Sequence, residues 1–135
     1  MPAVVTFTVP GRPYAKKRPR FSRRIGRAFD PAENAHAEAQ IGTIALPHFA
    51  VPHDKPVRVE VRAVFACPAS WSKKKRAAQV GGPHCQKPDG DNILKAVKDA
   101  LNRIAWRDDG QVFDARVSKA WGDRDETVIV VEVLP

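Results

Sequence analysis

Residues 87–112 read KPDGDNILKAVKDALNRIAWRDDGQV, and their pattern decides how the chain is organised. Ile93, Ala96, Val97, Ala100, Leu101 and Ile104 recur on one arc, which predicts an amphipathic helix over 92–105. Asp91, Lys95, Lys98 and Asn102 share the opposite stripe. Carboxylates stand at both ends, Asp89 and Asp91 before the helix and Asp108 and Asp109 after it. Lys87 precedes a proline, which biases it toward extended backbone. In an extended chain residues two apart point to one side, so Asp89 and Asp91 are expected to converge, with Gly90 letting the backbone bend. On a helix the same pair would stand about 200° apart. Plainer roles compete: Asp91 as an N-cap, Asp108-Asp109 before Gly110 as a turn, Lys95 as one half of a surface ion pair.

Working outward, Val4–Val9 alternates as a strand, with Val5, Phe7 and Val9 on one side. AKKRPRFSRRIGRAF, residues 15–29, reads as a basic loop or ribbon, or as a segment disordered without DNA. Asp30-Pro31 is expected to open a helix, with Asp30 capping and Glu33 at the capping-box position, that stops before Pro47. Val57–Phe65 alternates cleanly as a strand. SWSKKKRAA, residues 70–78, predicts a short helix capped by Ser70 or Ser72. Two further strands, 111–121 and 127–134, are joined by the turn GDRDE and expected to pair as an antiparallel hairpin. This order predicts a single α+β domain over 1–135, with two layers and helices mainly on one face of a mixed β-sheet.

The chain has 135 residues and a formal charge of +8. That charge suggests a polyanionic partner, with a solvated basic surface as the plain alternative. The distribution sharpens the inference. Residues 1–29 hold eight basic residues and no acidic one, whereas 89–109 hold five of the fifteen carboxylates. A basic surface with one acidic spot suits a metal-dependent nuclease, in which cations hold phosphates and carboxylates hold the metal. Mg²⁺ takes a few carboxylates plus water and phosphate oxygens, and Lys95 beside it would face the scissile phosphate. Candidate phosphate contacts are Lys16, Lys17, Arg18 and Arg20, then Lys73, Lys74, Lys75 and Arg76, with Lys87 and Lys119 near the acidic motif. Lys119 reads either as a ligand-facing charge or as an edge-strand gatekeeper. No C-x₂-C or H-x₃-H spacing argues for zinc, and His84 reads as a loop histidine. Cys67 and Cys85 form no disulfide framework, no apolar run approaches the roughly 18 residues of a membrane span, and no secretory signal opens the chain, so the expected compartment is the cytoplasm.

The run from His84 to Trp121, with KPDGDN, DAL, WRDDGQV and KAW inside it, resembles the RusA family of Holliday-junction resolvases. KKRPRF and SWSKKKR agree more loosely. Gly90 and Gly110 stand where an apolar residue and a serine are more usual, and neither removes a proposed ligand. The resemblance implies a homodimeric, Mg²⁺-dependent endonuclease, with Mn²⁺ as a substitute and no small-molecule cofactor, that nicks two opposed strands of a four-way junction. By position it implies Asp89, Asp91 and Asp109 as metal ligands, Asp108 as a possible fourth, and Lys95 as the catalytic lysine. Two readings compete: a nuclease of the same fold acting on other branched DNA, and a non-catalytic junction- or RNA-binding protein.

Overall fold

Val57, Val59, Val61, Ala63 and Phe65 are all buried while Arg58 and Arg62 between them are exposed, so the strand they form lies inside a sheet with one covered face. The computed structural model describes residues 3–135. Its strands are β1 (Ala3–Pro10), β2 (Arg20–Ser22), β3 (Arg27–Phe29), β4 (Val57–Ala66), β5 (Val112–Gly122) and β6 (Glu126–Val133). Its helices are α1 (Ala32–Ala45), α2 (Lys73–Gln79) and α3 (Gly90–Leu101). Four strands make a mixed sheet in the order β1-β6-β4-β5, and β2 and β3 form a separate ribbon. α1 and α3 lie against each other and cover one face, burying Phe7, Val59, Val61, Ile93, Val97, Leu101, Ile129 and Val131 in one core. The α+β reading holds.

The expected hairpin of the last two strands does not form. β4 lies between them, parallel to β5 and antiparallel to β6. The link from Gly122 to Glu126 must therefore step over the end of β4, two strand spacings of roughly 4.8 Å. Four residue steps reach about 13 Å, which suffices. The crossing is held by Asp125, whose Oδ1 accepts from Ala66 N at 2.8 Å, and by Cys67 N donating to Gly122 O at 3.0 Å. A Cβ at Gly122 would overlap Val64 Cγ1, so this crossing needs glycine. Turn composition reports that the chain reverses; it carries no information on which strand fills the gap.

The helix boundaries shift too. α1 begins after Pro31, and Asp30 makes no capping hydrogen bond. Ser72 does cap α2, accepting from Lys75 N. α3 starts two residues earlier than the periodicity predicts and ends at Leu101. Arg103 then adopts a left-handed backbone (φ 70°), and its N–H donates to Trp106 O at 2.7 Å. That turn drives Trp106 into the core, where it is fully buried. Ile104, though outside the helix, still packs close to Gly42 of α1. The open face of the sheet carries a lattice of ion pairs, including Arg58–Asp114 at 3.6 Å and Arg62–Glu60 at 3.0 Å.

Candidate active site

The segment before α3 is laid along β5. Gly81 N donates to Trp121 O, Trp121 N to Gly82 O, and His84 N to Lys119 O. Beyond His84 the backbone leaves this ladder and side chains take over. Lys119 Nζ donates to Gln86 O at 2.5 Å and to Pro88 O at 2.8 Å. Two residues further back along β5, Val117 meets Gly90, where an added Cβ would lie 3.3 Å from Cγ1. Residues 117, 119 and 121 share one face of β5, so this one face sets the register of the whole loop. The Lys87–Pro88 peptide within it is cis.

Asp89 occupies the N-cap position of α3 with extended backbone, and its side chain makes no capping bond. Asp91 is already helical, in the first turn. The pair is thus not the fully extended one that the sequence suggested: Asp89 is extended, while Gly90 and Asp91 already belong to the helix. The two carboxylates line different depressions. Asp89 faces one of about 610 Å³ with Arg12, Tyr14, Lys17, Lys87 and Asn92. Asp91 faces another of about 320 Å³ with Lys95, Lys98, Asp99 and Asp109. Among the described residues, no three His, Cys, Asp or Glu side chains gather as a ready metal cage.

The second acidic pair divides its labour. Asp108 Oδ2 accepts from Gly110 N at 2.9 Å and caps the short 3-10 turn 109–111. Gln111 completes the box, accepting from Asp108 N at 2.8 Å and donating to His53 O and Lys55 O. A Cβ on Gly110 would crowd Asp108 Oδ2 at 2.8 Å, so this cap is compatible with glycine there. Asp109 instead turns to the groove shared with Asp91, its Oδ1 accepting from the buried Trp106 Nε1 at 2.9 Å. Trp106 and Gln111 thus hold the second acidic pair in place by hydrogen bonds, contacts that sequence reasoning missed. The signal was partial: a buried indole N–H needs an acceptor, but Asp108 and Asp109 both stand within three residues of Trp106.

The basic residues also separate. Lys16 Nζ is paired with Asp99 and with Glu38, at 3.0 Å from the latter, and its N–H donates to Asn92 O. Burial alone would lower the Lys16 pKa, but the bonds from Asp99 and Glu38 outweigh it and the group is held above its usual value. Asn34, buried in α1, accepts from Tyr14 Oη at 2.6 Å and from Lys17 N, and donates to Lys17 O. The root of the basic arm is thereby locked to both helices. Lys17 Nζ lies 3.7 Å from Glu33. Arg18, Arg20, Lys73, Lys74 and Lys87 are exposed and carry no ion pair among the described residues. Lys75 lies over the Trp71 ring at 4.5 Å, and Arg76 reaches Pro68 O. His84 is buried between Phe65 and Trp121, with ring centroids 3.9 and 4.4 Å away. Burial, then the nearby Lys119 charge, lowers its pKa, and its Nδ1 has no hydrogen-bond partner.

Basic flanks around a groove lined by three carboxylates and two lysines suit a hydrolase of phosphodiesters. The chain belongs to the family described as Endodeoxyribonuclease RusA, whose profile matches residues 10–132. It is an endodeoxyribonuclease of the Holliday-junction resolvase family, which acts on branched DNA and depends on a divalent metal. It is also 36% identical over 136 residues to the uncharacterized protein YqaN of Bacillus subtilis strain 168, with 94% of each chain covered. Among the described residues no helix is long and apolar enough to cross a membrane.

Proposed function

We propose that this protein resolves four-way DNA junctions by paired symmetric nicks, as a Mg²⁺-dependent homodimer acting in recombination and repair in the cytoplasm of a bacterium or its phage-infected host. The observation that carries the reading is the groove in which Asp91 and Asp109 face Lys95 and Lys98. The donor set fits the metal. Asp91 Oδ1 accepts from Asn92 N and Asp109 Oδ1 from Trp106 Nε1, which leaves a second oxygen on each without a partner among the described residues. Hard carboxylate oxygens in that number, completed by water and substrate phosphate, suit Mg²⁺ and accept Mn²⁺. Asp89, across the helix start, is the third carboxylate; Asp108 is committed to its cap and serves the turn.

Asp91 and Asp109, with Asp89, would hold Mg²⁺, which would supply Lewis-acid polarisation of the scissile phosphate. The remaining work falls to the chain. Trp106 fixes Asp109, and α3 holds Asp91 and Lys95 one turn apart on the same stripe. Lys95 offsets charge that builds on the phosphate oxygens as water adds in line, leaving 5′-phosphate and 3′-hydroxyl ends. Arg18, Arg20, Lys73, Lys74 and Lys87 supply sequence-independent phosphate contacts. Two-fold symmetry would present two equivalent sites to a pseudo-symmetric junction.

The test incubates wild type and Asp91→Asn with a labelled four-way junction, flap and fork substrates and a matched linear duplex, in Mg²⁺ or in EDTA. Paired Mg²⁺-dependent nicks in the junction alone, absent in the variant with binding kept, support the reading. Equal cutting of flaps or forks would reassign the enzyme to other branched DNA. Junction binding without cleavage under any divalent metal would leave the aspartates as cap and turn residues of a binding protein.

A further inference from the structure

The strongest feature outside the groove itself is Lys119. Its sequence reading was a DNA contact or an edge-strand charge, yet its ammonium points along β5 into the loop. It donates to Gln86 O at 2.5 Å and to Pro88 O at 2.8 Å. An ammonium carries three donors and no acceptor, so two carbonyls on one side are what it can satisfy from within the protein. Among the described residues no other hydrogen bond ties residues 86–88 to the rest of the fold. The backbone pairing with β5 stops at His84 N to Lys119 O, and residues 85–87 are exposed.

The Pro88 carbonyl is one end of a planar unit whose other end is Asp89 N and Cα. Gripping that oxygen fixes the plane from which the Asp89 side chain departs. Immediately after it, Asp89 O accepts from Ile93 N and Gly90 rests on Val117, so α3 starts at a set place. Asp91 and Lys95 inherit their direction from that start. We infer that Lys119 is a positioning residue of the nuclease site, clamping the Gln86 and Pro88 carbonyls so that Asp89 and the first turn of α3 present their groups to the scissile phosphate. It is not a phosphate contact. The inference rests on the nuclease reading above for its kinetic consequence, but the clamp itself does not.

Lys119→Met keeps the aliphatic stem and removes the donors. The expected result is a single-turnover cleavage rate, at saturating protein, at least about tenfold lower, since a small misplacement of reacting groups is costly. Junction affinity measured in Ca²⁺ without cleavage, and the slope of log K against log salt, stay as in wild type. Lys119→Arg, which keeps charge and donors, recovers most of the rate. A slope smaller by about one unit with an unchanged saturating rate would make Lys119 a phosphate contact and overturn the inference.

Acylation of wild-type lysines with an N-hydroxysuccinimide ester, followed by mass spectrometry, tests the clamp even if the variants fold poorly. Lys119 should rank among the slowest-reacting lysines with or without junction DNA. Fast reaction that junction DNA suppresses would sink the clamp. Wild-type protein that cleaves no junction would overturn the proposed function alone, because slow acylation of Lys119 would still report the clamp.

Discussion

Residues 81–91 and residues 18–29 are both charged connecting segments, and the fold treats them in opposite ways. The first is stitched to β5 through backbone bonds at Gly81, Gly82 and His84 and then through the Lys119 side chain. The second folds on itself as the β2–β3 ribbon, with Phe21, Ile25 and Phe29 exposed beside Arg20, Arg23, Arg24 and Arg27. The boundary between fixed and free runs through the basic arm itself, between Lys17 and Arg18. Lys16 and Lys17 are tied to α1 and α3, and the arginines after them are not. A positive charge in this protein therefore has two uses. Where carboxylates or carbonyls surround it, it is internal scaffolding; where nothing does, it is available to DNA.

The largest expected effect lies on the fixed side. Asp109→Asn should lower the saturating cleavage rate about a hundredfold or more, while Asp108→Asn leaves it within a few fold, because only Asp109 faces the groove. Equal losses in both would show that the turn, not the groove, governs activity. Next comes the free side. Replacing Arg23, Arg24 and Arg27 together by Gln should reduce the salt slope of junction binding by roughly two to three units and leave thermal stability unchanged. A clear drop in Tm would mean that the ribbon packs on something.

Lys16→Met is expected to act through stability, at about 1–2 kcal/mol, since it removes the ammonium that pairs with both Asp99 and Glu38. Thermal unfolding would register this as a Tm lower by several degrees, with the salt slope unaltered. The smallest effect is a pH dependence. His84 is held neutral below its ordinary value of 6.5, so unfolding takes up its proton and stability falls as pH drops below about 6.5. His84→Phe should flatten that part of the Tm–pH curve; an unchanged acid limb would place the titration elsewhere.

Much of the fold was legible because it is local. The alternation of Val57–Phe65 and the arc from Ile93 to Leu101 each encode a buried face within one element. The groove was half legible. Asp91 and Lys95 share a stripe whichever way the helix is packed, but the division of Asp108 and Asp109 into cap and groove depends on where Trp106 is buried. The helix start at Gly90 was misread for a specific reason. Pattern locates a helix through its apolar face, and Gly90 and Asp91 contribute nothing to that face while still being helical.

By itself the sequence determined the α+β class, the family, the sites of concentrated acid and base, and the elements that bear them. Each is written in composition, spacing or short-range period. Only the tertiary structure decided that β4 separates β5 from β6, that Lys16 and Lys119 face inward, and that Asp109 rather than Asp108 lines the groove with Asp91. These depend on which distant segment supplies the partner, such as Asp125 for Ala66, Asp99 for Lys16 and Pro88 for Lys119. A side chain's role is set by the groups that satisfy it, and those groups are neighbours in space rather than in sequence.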